Sequence, residues 1–141
     1  MKILILNDGR EYENWGIQAC MEGLLKIFNG NKIETISFSL LNKKYSFNPR
    51  IFGRNFFNEN SRIQKLLFNE SLETPLIADE LDYFCELWVN GKGGKESKKI
   101  INSIKDADII LFNAEGSTYR KNISAFRGLF ILYLAKKYFN K

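Results

Sequence analysis

Apolar and polar positions fall along this chain in blocks whose spacing predicts alternating strands and helices. Residues 2–7 open on Ile3-Leu4-Ile5-Leu6, a short run apolar at consecutive positions. That is the pattern of a strand covered on both faces and central in its sheet. A polar loop over 8–16 leads to Ile17, Cys20, Met21, Leu24, Leu25 and Phe28, which recur at spacings of three and four. They predict a helix with one buried stripe, stopped by a left-handed residue in Asn29-Gly30-Asn31. Residues 33–40 alternate and carry several β-branched side chains, so they read as a second strand. Strand, loop, helix and strand at these lengths open a Rossmann-like α/β unit.

The alternation is then interrupted by an irregular, partly helical insertion at about 42–95. Its first half interleaves Lys43, Lys44, Arg50, Arg54, Arg62 and Lys65 with Tyr45, Phe47, Phe52, Phe56, Phe57 and Phe68. Within it, 62–68 predicts a short helix. Residues 78–89 predict a clearer one, with Leu81, Phe84, Cys85 and Trp88 on one face. Lys92-Gly93-Gly94-Lys95 is a turn, and 96–105 a helix with Ile100, Ile101 and Ile104 inward.

The next run, Ile109-Ile110-Leu111-Phe112, predicts a strand buried on both faces, and the rest of the chain is organised around it. It ends in Asn113-Ala114-Glu115-Gly116-Ser117-Thr118, and a last helix follows over 124–139, packing through Phe126, Leu129, Phe130, Leu132, Tyr133 and Ala135. Strand, small polar loop and helix is how an open α/β sheet builds a ligand site at the carboxyl edge of its strands, where backbone N–H groups can meet an anion. The alternative is that Gly116 only makes a tight turn.

Composition narrows the chemistry. The 141 residues fit one domain, 1–141, with 45% hydrophobic and 26% charged content, ordinary for a folded soluble protein. Histidine is absent, which removes a Ser-His-Asp triad and a His-ligated metal. A formal charge of +5 favours anionic partners. Cys20 and Cys85 sit at apolar helical positions and read as small core residues, with no disulfide framework and no metal motif. With no leader pattern at the start, the expected compartment is the cytoplasm, with the inner face of the membrane as a place of contact.

Several candidate motifs fail on context. Residues 91–97 lack Gly-Lys-Ser/Thr at the spacing of a phosphate loop and follow a helix, not a strand. Asn7-Asp8-Gly9 lacks the dinucleotide fingerprint. Asn14-Trp15-Gly16 opens a helix at the same sheet edge as Gly116; it is either an anion site or an Asn cap with a packing Trp. Gln18 and Glu22 face the cleft or solvent. Glu115 is the carboxylate best placed at a site mouth. The basic, aromatic residues 43–68 suit a single-stranded nucleic acid, a partner chain or an anionic membrane surface, though no nucleic-acid motif accompanies them.

Two stretches, Asn14-Trp15-Gly16-Ile17-Gln18-Ala19 and Ala107-Asp108-Ile109-Ile110-Leu111-Phe112-Asn113-Ala114-Glu115-Gly116-Ser117, resemble the polysaccharide pyruvyl transferase family. The resemblance implies the N-terminal domain of a GT-B-type transferase, incomplete here. It implies transfer of pyruvyl from phosphoenolpyruvate, as donor substrate and with no cofactor, to a sugar or lipid-linked glycan acceptor of a capsule, cell-wall or exopolysaccharide precursor. Carried over to this chain, Asn14, Gly16, Glu115, Gly116 and Ser117 line the substrate cleft. The reaction also needs an acid, for which Glu115 is the candidate, and a cationic clamp, to which Arg120 as a substrate-binding residue, with Lys121 and Arg10, contributes charge. The family's His and Arg lie largely in a second half, so the expectation is a truncated chain acting with a separately encoded partner. The other expectation, from a different class, is a non-catalytic α/β module or remnant that binds an anionic ligand or a partner chain.

Overall fold

The computed structural model describes residues 1–11, 14–38, 74–75, 77–114 and 123–141. The predicted helix over 62–68, and with it most of the insertion, lies outside the described residues. The elements are β1 (Lys2–Leu6), α1 (Trp15–Ile27), β2 (Lys32–Ile36), α2 (Leu81–Val89, entered through a 3-10 turn), α3 (Lys95–Asp106), β3 (Ile109–Phe112) and α4 (Ile123–Phe139). The three described strands form one parallel sheet in the order β2-β1-β3. Ile3 pairs with Ile33 and with Ile109, and Leu6 with Ile36 and with Phe112. The architecture is α/β.

The apolar run of β1 explains the layering. Side chains alternate across a strand, so Ile3 and Ile5 pack with Met21, Leu24, Leu25 and Phe28 of α1 and its exit. Leu4 and Leu6 point the other way, into a larger core shared with Phe84, Cys85 and Trp88 of α2, the three isoleucines of α3, and Phe130, Ile131 and Leu134 of α4. The four apolar side chains of β1, Ile3 to Leu6, are fully buried, as expected of a central strand. Trp88 stacks edge-on against Phe130 with ring centroids 4.9 Å apart. Burial pushes the Cys85 thiol up to about 11. Gly30, at φ 89°, supplies the left-handed stop after α1.

Three expectations need correction. β3 is not covered on both faces: Ile109 is 37% exposed and its neighbours are half-buried, because β3 lies at the border of the described sheet. The buried stripe of α4 runs through Arg127, Gly128, Phe130, Ile131, Leu134 and Ala135, while Leu129 and Tyr133 face outward. Close approach to the sheet sets that rotation. A Cβ on Gly128 would lie 2.4 Å from Cε2 of Phe112, so any larger residue there would force the Phe112 ring or α4 to shift. Cys20, expected in the core, is exposed on α1.

Candidate ligand site at the carboxyl edge of the sheet

All three described strands run the same way, so their carboxyl ends share one edge, and each delivers a buried polar residue there. Asn7 follows β1, Ser37 follows β2 and Asn113 follows β3, each no more than 7% exposed. The ladders continue one residue past the strands: Asp8 N–H donates to Ile36 O at 3.0 Å, and Asn113 N–H to Leu6 O at 3.0 Å.

Asn7 makes the turn between those two bonds. Its φ is 66°, a left-handed conformation that asparagine tolerates better than most non-glycine residues. Its amide Nδ2 donates to Asn113 O at 2.8 Å, tying the end of β1 to the end of β3. Residues held this way cluster at functional sites.

Beside this floor sits a charged fork. Asp8 is 8% exposed. Its carboxylate accepts from Arg10 Nη2 at 2.6 Å, from Nε at 3.0 Å and from the Arg10 backbone N–H at 3.2 Å. Burial pushes the Asp8 carboxyl up, but the Arg10 hydrogen bonds, with one from Thr35, outweigh it and hold the group below its ordinary value. Asp8 therefore stays ionised near neutrality. The Arg10 side chain is 42% exposed, so its guanidinium lies between a buried carboxylate and solvent.

The start of α1 closes the same edge. Asn14, with φ −122° and ψ 109°, is the N-cap: Oδ1 accepts from Gly16 N–H at 2.9 Å and Ile17 N–H at 3.3 Å. Of the two readings of Asn14, capping is the one the geometry displays, because those two amides are already engaged. The packing tryptophan that went with it is not found, since Trp15 is 87% exposed. Gln18 Nε2 reaches back to Arg10 O at 3.3 Å, and Glu22 faces solvent. Cys20 Sγ lies 3.5 Å from Asn113 Oδ1, so α1 and the end of β3 touch.

Of the residues expected to bind or react, Asn14, Gly16 and Arg10 lie at this edge. Glu115, Gly116, Ser117 and Arg120, together with Lys121, lie outside the described residues. Sequence reasoning missed Asn7, Asp8 and Asn113. A signal was present: both apolar runs, Ile3 to Leu6 and Ile109 to Phe112, are followed at once by asparagine. Chemically, the edge offers neutral amides for hydroxyl or carbonyl groups and one cationic fork for an oxyanion. Among the described residues no His, Cys, Asp and Glu group is arranged to hold a metal ion, and no helix is long and apolar enough to cross a membrane. Compared with protein-family profiles, curated proteins and solved structures, the chain matches none.

Proposed function

We propose that this chain is a Rossmann-like domain of the polysaccharide pyruvyl transferase type, binding an anionic donor such as phosphoenolpyruvate at the carboxyl edge of its sheet. One observation carries the reading. Cys20, the residue directly after the first of the two stretches that bear the family resemblance, touches Asn113 of the second at that edge, 93 positions away. There they join the Asn7 turn and the Asp8–Arg10 fork. A carboxylate or phosphate of the donor would meet Arg10, and the amides of Asn7 and Asn113 lie on the floor beneath it.

The test is calorimetric titration of the chain with phosphoenolpyruvate and with inorganic phosphate. Saturable binding of phosphoenolpyruvate, weakened by Arg10→Ala and by Gly116→Val, is expected. A wild-type chain that binds neither anion overturns the proposal.

A second reading is a binding module without catalysis of its own, since Asp8 does not serve as the acid and Glu115, the acid that the resemblance offers, lies outside the described residues. Pyruvyl transfer needs an acid to protonate the donor's methylene carbon, and Asp8 is held ionised by Arg10. Retained phosphoenolpyruvate binding, with no solvent deuterium entering the methylene group by NMR, would select this reading over the catalytic one.

A further inference from the structure

The outer face of α3 belongs to neither the core nor the carboxyl edge. Ser97, Ile100, Ile101 and Ile104 are its buried side. Lys95, Lys98, Lys99 and Lys105 are exposed on the opposite side, and exposed Lys92 precedes them in the turn. Residues 92–106 hold these five lysines against two acids: Glu96, which pairs with Lys99 at 3.2 Å, and Asp106, which pairs with Lys2 at 3.2 Å. At 1.5 Å per residue the row from Lys95 to Lys105 is about 15 Å long. It continues onto the end of α4: Lys105 Nζ lies 5.6 Å from the Phe139 ring centroid, and Lys136 and Lys141 are exposed there.

We propose that this lysine face docks the protein onto an anionic phospholipid surface. Four or more basic side chains on one helix face are attracted to anionic headgroups, each adding to the binding. The apolar stripe of α3 is committed to the core, so contact stays at headgroup level and does not insert a helix. Lysine suits this role because a point charge needs no matched fork geometry. The neighbouring rings do not favour a single-stranded nucleic acid. Lys105 lies over Phe139, and Lys137 lies over Tyr133 and Tyr138 at 5.7 and 5.6 Å, so ammonium groups cover faces on which bases would stack. The proposal does not depend on what the carboxyl edge binds.

The experiment is flotation of the full chain with vesicles of phosphatidylcholine alone and of phosphatidylcholine with phosphatidylserine. Binding to the second kind only, released by added salt, is expected. Lys95→Glu with Lys98→Glu should weaken it at least about tenfold. Lys26→Glu with Lys32→Glu makes the same change in net charge on α1 and β2 and should leave binding within about twofold of the starting protein. Circular dichroism checks each fold, and Lys95→Gln with Lys98→Gln serves if the reversal unfolds the chain. Equal binding to both vesicles, equal loss in the two double variants, or tighter binding to a DNA oligonucleotide at the same salt overturns the proposal.

Discussion

The two edges of the sheet are built from similar residues and do opposite things with them. At the amino edge, Lys2 Nζ pairs with Glu34 at 3.1 Å and with Asp106 at 3.2 Å, and Ser103 Oγ donates to Glu34. The Lys2 backbone N–H donates to Asp108 Oδ2 at 2.7 Å, and Asp108 N–H returns a bond to Lys2 O at 2.8 Å. Charge there is answered by charge, near solvent, and the strand ends are pinned in register. At the carboxyl edge the polar groups are buried amides, one backbone residue is left-handed, and the single fork leaves Arg10 half in water. The amino edge is a fastening. The carboxyl edge gathers buried polar side chains, at the place where parallel α/β sheets hold ligands.

The contrast can be broken most forcefully at Asn7. Asn7→Val places a β-branched residue at positive φ and removes the buried bond to Asn113 O, so stability should fall by about 3 kcal/mol in urea unfolding. Asn7→Gly relieves the backbone and should cost less than half as much. Equal stability of Asn7→Val and the parent would remove the claim of a specially held turn.

Next in size is Gly128→Ala, which pushes α4 into the Phe112 ring at the end of β3 and should cost about 1–3 kcal/mol. A thermal melt at unchanged midpoint would refute the close approach.

Asp8→Asn should follow, at about 1 kcal/mol, kept small because Arg10 is more than a third exposed. Its sign with pH is fixed by linkage. The Asp8 carboxyl titrates below its ordinary value when folded, so its contribution is fully present above the unfolded value, about 4. It is lost as pH falls through the lowered one. Unfolding series from pH 7 down to the acid range should therefore converge for Asp8→Asn and the parent protein. A gap that widens towards acid would contradict the assignment.

The smallest effect is expected at the amino edge. Glu34→Gln removes the charge that Ser103 and Lys2 hold below its usual value, yet Glu34 is 37% exposed, so only a few tenths of a kcal/mol should go. Phosphoenolpyruvate binding should be unchanged in Glu34→Gln and weakened in Arg10→Ala. The reverse order would exchange the roles assigned to the two edges.

Much of this was legible in advance because it is local. Runs of four apolar residues marked Ile3 to Leu6 and Ile109 to Phe112 as strands, yet both faces are covered only in β1, so the run identifies a strand and not its place in the sheet. The stripes of α1 and α3 fix which side of each helix turns inward, since polar residues occupy the other side. The carboxyl-edge site was legible only as a place. The Asp8–Arg10 fork and the Asn7–Asn113 bond depend on distances between segments that no spacing along the chain records.

The sequence by itself therefore determined the kinds and order of the described elements, because periodicity acts within a few residues. The tertiary structure decided the rest. Between Phe126 and Ala135 α4 is apolar at most positions, so its own pattern leaves its rotation open, and contact of Gly128 with Phe112 settles it. The border position of β3, and with it the exposure of Ile109, depends on which strands stand beside it. Asn14 spends its side chain on the cap because the start of α1 presents two amides within its reach. Burial and partnership belong to neighbours in space, and only the folded chain supplies them.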